Sequence, residues 1–302
     1  MRTPMFSIIV VSLNPGHKLA DTVKSVAEQS YTDYEVIVKD GGSKDGALEA
    51  LREYLSGQGS PAQRAASGGG KADTADAAAP EKLSTVRILE QADEGIYDGM
   101  NQAARAARGE YLYFLNCGDT FASVTALEQA AGEIRRHLET DPSAGRIFYG
   151  DIFDAMRRQV VSSNPHIDAF ACYRNVPCHQ ACIYHYSLFS GRGYETKYRV
   201  RADYEHFLWC CFAENVKPQY IPVTLASYEG GGFSETPENR KCSAREHREI
   251  TARYFSRGQL LRYRLIMLLT LQPLRTKMAE SPSLSGIYNA CRRLLYRKRP
   301  GR

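Results

Sequence analysis

The chain has 302 residues, ordinary apolar and charged fractions, and a formal net charge of +5. Such a length admits one large domain or one domain with an appendage, and the composition excludes a disordered or fibrous chain. The charge is uneven: residues 245–302 hold 14 Lys and Arg against 3 Glu, a net of +11, which leaves about −6 on residues 1–244. A near-neutral to acidic body with a basic tail suits attraction to an anionic surface.

The first 120 residues alternate strand and helix signals, the pattern of a doubly wound, largely parallel sheet. Phe6 to Val11 is a continuous apolar run, as in a strand covered on both faces. After Asn14-Pro15-Gly16, the residues Leu19, Val23 and Val26 fall on one helical face. Tyr34 to Val38 reads as a second strand, ending at Lys39-Asp40-Gly41-Gly42-Ser43, and a helix follows from about Asp45 to Leu55. Residues 56–82 are rich in Gly, Ala and Ser without periodicity, which predicts an insertion loop. Val86 to Leu89 resumes as a strand. Ile96 to Ala107 reads as a helix closed by Gly109. Tyr111 to Leu115 is the next strand and runs straight into Asn116-Cys117-Gly118-Asp119.

Further on, Ile147 to Tyr149 and Val160 to Ser162 read as strands around a polar turn, Asp203 to Phe212 as a short helix, and Val223 to Tyr228 as a late strand. From Glu238 the chain reads as helical and basic. The resulting division is a domain over 1–244 and a basic amphipathic extension over 245–302. In the extension, Gln259–Gln272 and Ile287–Arg297 mix apolar residues with arginines, as in an interfacial helix on an anionic membrane. A helix packed on the core with a solvated basic side fits the same pattern. No recognition motif accompanies the charge, so nucleic acid is not an expected partner. The longest apolar run, Leu265 to Leu271, is too short to span a bilayer.

The eight cysteines are irregularly spaced and no signal peptide is evident, so they read as cytosolic thiols rather than a disulfide framework. Cys178-His179-x2-Cys182-x2-His185, with Cys172 upstream, fits no common structural zinc spacing.

In an open parallel α/β sheet, ligands bind at the carboxyl ends of the strands. Ser12-Leu13-Asn14, Asp40-Gly41-Gly42-Ser43 and Asn116-Cys117-Gly118-Asp119 all fall there. Taken singly, Asp40 and Asp119 suit tight turns. Three polar clusters on one sheet edge instead indicate a site, in which a carboxylate after a strand can hold a hard divalent ion beside two phosphates. A nucleotidyltransferase would need a Gly-rich phosphate loop at the N-terminus, and Val10 to His17 lacks one.

The segments FSIIVVSLN, EVIVKDGGSKDG, QADEGIYDGMNQAARAARGEYLYFLNCGD, YGD, HQACIY, YRVRADYE and GGGFSETPENR occur in the order found in family 2 glycosyltransferases of bacterial exopolysaccharide and capsule assembly. The chain resembles the colanic-acid-type branch of that family over roughly residues 5 to 243. The resemblance implies a GT-A fold, a nucleotide-diphosphate sugar donor (UDP ahead of GDP), Mg2+ or Mn2+, and an inverting displacement. It places Ser12, Asn14, Asp40, Asp93, Asp98, Asn101, Asn116 and Asp151 around the nucleotide sugar. His179 and Gln180 fall on the acceptor side. Gly231, Gly232, Arg240 and Lys241 would lie at the phosphates.

The family's Asp-x-Asp motif is reduced here to Asp119 as the one carboxylate for the metal. Asp203 matches the general base, although the Glu that usually precedes it is Ala202. Asp is also a favoured helix N-cap, so a capping role for Asp203 stands beside the catalytic one. The implied acceptor is a glycan or polyprenyl-linked saccharide, and the implied location is the cytoplasmic face of the plasma membrane. The reduced motif also allows a catalytically degenerate domain that binds or assembles at the membrane.

Overall fold

The computed structural model describes residues 3–56, 86–142, 145–230 and 236–270. The expected insertion at 56–82 lies outside them, apart from Ser56. So do Gly231, Gly232 and the second basic segment, Ile287–Arg297.

Nine strands form one sheet in the order β3-β2-β1-β4-β8-β6-β9-β5, with β7 paired to β6. Four of them, β1 (Phe6–Ser12), β2 (Tyr34–Asp40), β3 (Val86–Glu90) and β4 (Tyr111–Phe114), are mutually parallel. Strand β8 (Cys182–His185) runs antiparallel between β4 and β6 (Ile147–Asp154). On the far side β9 (Gln219–Tyr228) pairs parallel with β6 and antiparallel with β5 (Thr120–Phe121), while β7 (Gln159–Val161) closes a hairpin with β6.

Alternation along the strands divides the core. Phe6, Ile8, Val10, Val36 and Val38 pack against α1 (Lys18–Ala27), α2 (Ala47–Leu55) and α4 (Ala126–Thr140). Ile9, Ile37, Leu112 and Phe114 face α3 (Ile96–Ala106), α6 (Ser187–Ser190) and α7 (Ala202–Phe212). Leu19, Val23 and Val26 are fully buried, so the helical face expected from their spacing is the one that packs. Helix α4 carries the same kind of signal in Ala126, Leu127, Ala130, Ala131 and Ile134, all buried, although the reading in chain order passed over it.

One expectation changes. Gly109 does not cap α3, which ends at Ala106 with Ala107 extended. Gly109 instead lets the chain pass β1, because a β-carbon there would collide with the backbone of Ser7. Helix α8 (Pro237–Tyr254) spans residue 244, and Ile250, Phe255 and Tyr263, the last from α9 (Arg257–Leu269), are buried in the second core. Among the described residues no helix is long and apolar enough to cross a membrane.

The contact at Gly109 gives a stability prediction. Gly109→Ala forces β1 and the α3–β4 connection apart, and a loss of about 1–3 kcal/mol is expected in urea unfolding. Gly132→Ala, on a helix with open space around it, is expected to gain a few tenths.

Candidate active site

The carboxyl ends of β1 and β2 are tied together by Asp40. Its carboxylate is fully buried and accepts from Gly42 N and Ser43 N on one oxygen and from the Ser12 and Ser43 hydroxyls on the other. Burial pushes its pKa up, but the donors from Ser43, Gly42 and Ser12 outweigh this and the net shift is downward. Asn14, in the left-handed region at φ 49°, continues the lacing: its N–H donates to Ser43 Oγ and its Oδ1 accepts from Lys44 N. Asp40 thus organises the two loops at the edge where the nucleotide is expected. Ser12 acts with it; Asn14 stays exposed at the rim.

Asp93 is likewise occupied. Its Oδ2 pairs with Lys39 Nζ at 2.7 Å, and that ammonium, only 1% exposed, also donates to the carbonyls of Asp40 and Gln91. Gly41 and Gly99 leave the room this carboxylate needs. Asp98 and Asn101, expected to share a ligand-facing side of α3, serve different ends. Asp98 accepts from Glu94 N and Gln102 Nε2 at the helix start. Asn101 is buried and clamps Tyr194 through both ends of its amide, at 2.9 and 2.7 Å. Asp151 accepts from Ser163 N and the Tyr220 hydroxyl within the β6–β7–β9 region. Each of these residues has partners within the protein, and of the four only Asn101 is buried. Arg240 and Lys241 are exposed on the first turns of α8.

A second group gathers at the end of β4. Asp119 is 4% exposed, with Oδ1 accepting from Glu229 N at 2.9 Å and Oδ2 from Gln180 Nε2 at 2.7 Å. Burial raises its pKa to about 6. Gln180, expected on the acceptor side, thus also holds the Asp119 carboxylate. Its neighbour His179 points the other way, against Phe114 and Tyr194, with both ring nitrogens buried and unpartnered. Burial lowers the His179 pKa against the opposing charge of Asp203. Asp203, half-buried at the second position of α7, accepts from the Tyr97 hydroxyl at 2.9 Å. It does not cap its helix: Arg201 holds the N-cap position and makes no side-chain cap. Burial pushes the Cys178 thiol up to about 12, and the charges of Asp119 and Asp203 both add to that shift. Residues 178–180 thus stand between the two carboxylates.

Glu229 and Tyr97 escaped sequence reasoning, and Cys178 was weighed only as a zinc ligand. Glu229, one residue past β9, pairs with Lys18 at 2.6 Å and lies close to Gly118. Tyr97 and Cys178 touch Asp203 and Gln180 respectively. Glu229 had a signal, being a charged residue at a strand terminus.

The donor chemistry around Asp119 fits a hard cation in kind. A carboxylate made costly to ionise by burial gains from a neighbouring positive charge, and the buried Asn116 Oδ1 beside it has no hydrogen-bond partner. The protein set is small, since no group of three His, Cys, Asp or Glu side chains among the described residues could hold a metal. The Cys178–His185 segment holds no zinc cluster either; Cys178 donates to Gln180, and His185 pairs with Ser187.

Breaking the Lys39–Asp93 pair from one side leaves a buried ammonium without its counter-ion. Asp93→Ala is therefore expected to cost about 3 kcal/mol in chemical denaturation, and Asp98→Ala less than about 1 kcal/mol as the loss of a part-exposed helix-start contact.

The comparisons with known proteins agree with this architecture. Residues 7–64 match the family described as Glycosyl transferase family 2. A PGL/p-HBAD biosynthesis glycosyltransferase of Mycobacterium tuberculosis is 31% identical over 238 residues, covering 78% of this chain and 81% of that protein. Chondroitin synthase of Escherichia coli is 28% identical over 137 residues, 45% of this chain and 16% of its own. Among solved structures, S. aureus TarS 1-349 in complex with UDP superposes with a TM-score of 0.55 at 16% identity, over 84% of this chain and 73% of that one. The mannosyltransferase PcManGT from Pyrobaculum calidifontis, in complex with GDP-Man and Mn2+, gives 0.53 at 14% identity over 99% and 89%. With the parallel β3-β2-β1-β4 half-sheet, the polar clusters at its carboxyl edge and a relative alike over most of both chains, this protein belongs to the family 2 glycosyltransferases and is a transferase of the GT-A fold.

Proposed function

We propose that the protein is an inverting glycosyltransferase that moves a sugar from a UDP-sugar to a hydroxyl of a glycan or polyprenyl-linked saccharide in surface-polysaccharide assembly. The observation that supports this reading best is the His179–Gln180 pair, with Asp119 hydrogen-bonded on one side and Asp203 within electrostatic reach on the other. In the reaction the acceptor oxygen bonds to the anomeric carbon as the bond to the nucleoside diphosphate breaks. The leaving diphosphate keeps the electron pair, and Asp203 takes the hydroxyl proton. Asp119, with Asn116 Oδ1 and the diphosphate, would hold Mg2+ or Mn2+, which supplies charge neutralisation for the leaving group. The uridine donor rests on the motif resemblance; structures of the same fold hold UDP in TarS and GDP-Man in PcManGT.

The exopolysaccharide setting rests on the motif resemblance, while the mycobacterial relative serves PGL/p-HBAD biosynthesis. Both settings suit work at the inner face of the plasma membrane. On α9, Leu261, Leu265, Leu268 and Leu269 are all more than half exposed, and Arg257, Arg262 and Arg264 are exposed among them. That combination fits an anionic bilayer surface.

A thermal-shift screen of UDP-, GDP- and dTDP-sugars with Mn2+ is expected to show the largest rise with a UDP-sugar. Asp203→Asn should keep that rise and lose at least about 100-fold in turnover; full turnover would remove the base assignment. Because the Asp119 pKa is raised to about 6, protons compete with the cation below that value. Affinity for Mn2+ with UDP, measured by calorimetry, should fall about tenfold for each pH unit below about 6 and level off above it. The double variant Leu265→Glu/Leu268→Glu is expected to remove sedimentation with phosphatidylglycerol vesicles.

A further inference from the structure

Asp203 projects from the first turn of α7, and what fixes that turn lies on two other elements. The preceding backbone, Arg199 to Arg201, aims three successive N–H groups at one carboxylate. Glu246, on α8 and 3% exposed, accepts from Arg199 N at 2.8 Å on Oε1, and from Val200 N at 3.0 Å and Arg201 N at 2.9 Å on Oε2. One turn earlier on α8, Ser243 Oγ accepts from Arg201 Nε at 2.7 Å. From the opposite side the Tyr97 hydroxyl lies 2.9 Å from Val200 O and 2.9 Å from Asp203 Oδ1. The Val200 residue is thus held by its N–H from α8 and by its carbonyl from α3. A hydroxyl has one proton, so Tyr97 divides its donation between that carbonyl and the base.

A buried carboxylate that accepts three backbone N–H groups is a strong anchor, since charge-assisted bonds exceed neutral ones and leaving those donors unmet is costly. Its position decides its role. Helix α7 starts at Ala202, so any drift of the 199–201 turn carries Asp203 with it, and misplacement of a reacting group by about 1 Å costs on the order of 100-fold in rate.

We propose that Glu246 is a positioning residue for Asp203: with Tyr97 as its counterpart across the turn, it fixes where the base stands and how its carboxylate is turned. This rests on Asp203 being the general base. It also makes the part of α8 beyond Arg240, where the last family motif ends, part of the catalytic unit.

The test uses the full chain and release of the nucleoside diphosphate, UDP from UDP-GlcNAc or UDP-glucose and GDP from GDP-mannose, with whichever donor raises the melting temperature most and with water or an added saccharide as acceptor. Glu246→Gln keeps one acceptor oxygen and sets an NH2 group against a backbone N–H. The expected result is a fall in kcat of tenfold or more, with donor KM and donor-induced melting shift within about twofold of the parent. Unchanged kcat, or equal losses in donor binding and kcat, would overturn the proposal.

Tyr97→Phe guards against a Glu246 variant that fails to fold. Losing the hydroxyl that reaches both Val200 O and Asp203 Oδ1 frees the turn on that side, so kcat should fall tenfold or more while donor KM and the donor-induced melting shift stay within about twofold of the parent. Unchanged kcat in Tyr97→Phe overturns the proposal as well. Asp203→Asn run in parallel separates the two ideas. If it retains turnover, the base assignment itself fails; if it loses turnover while Glu246→Gln does not, only the positioning role fails.

Discussion

Much of the site depends on one strand running the wrong way. Were the sheet parallel throughout, the chain after β4 would leave the ligand edge by a helix and return at the opposite end. Strand β8 instead starts at the edge where β4 finishes and runs antiparallel between β4 and β6. The short turn at its start, His179–Ala181, is thereby held over the end of the parallel half-sheet. Gln180 meets Asp119 because of that reversal, and His179 meets the aromatic wall of Phe114 and Tyr194. Buried donors and acceptors in such a place must pair with each other, so the turn fixes the carboxylate as much as the carboxylate fixes the turn.

Sequence patterns exposed the parallel half-sheet because β1, β2 and β4 are buried almost throughout, with β3 a half-buried apolar edge strand, and each helix shows one apolar stripe. Residues 6–12, 34–40, 86–90 and 111–114 were readable for that reason. The antiparallel half was harder. Strand β8 is four residues long and reads as part of a cysteine- and histidine-bearing stretch, and its strand character comes from neighbours distant in sequence. Helix α4 had a legible stripe in Ala126, Ala130 and Ile134, but alanines make a weak hydrophobic signal.

The site divides in the same way. Residue types at strand ends pointed to the carboxyl edge of the parallel strands, and the motif register singled out Asp119 and Asp203. What neither gave was which partners the polar groups take within the protein. Asp40, Asp93 and Asn101 are side chains of the kind that bind ligands, and each also holds a backbone loop or a buried ammonium. Pattern shows capacity for hydrogen bonding; only the fold shows which capacity is left over. Glu246 is the converse case, a glutamate on a long, mostly polar helix whose contribution arises entirely from where α8 docks.

The thiols near Asp119 carry a consequence for reactivity. Burial pushes Cys117 up to about 12, as it does Cys178, so both sulfurs keep their protons across the physiological range. A thiol attacks only as its thiolate, so alkylating and oxidising reagents meet little nucleophile at the end of β4. The two cysteines act there as small apolar packing groups beside a polar cluster.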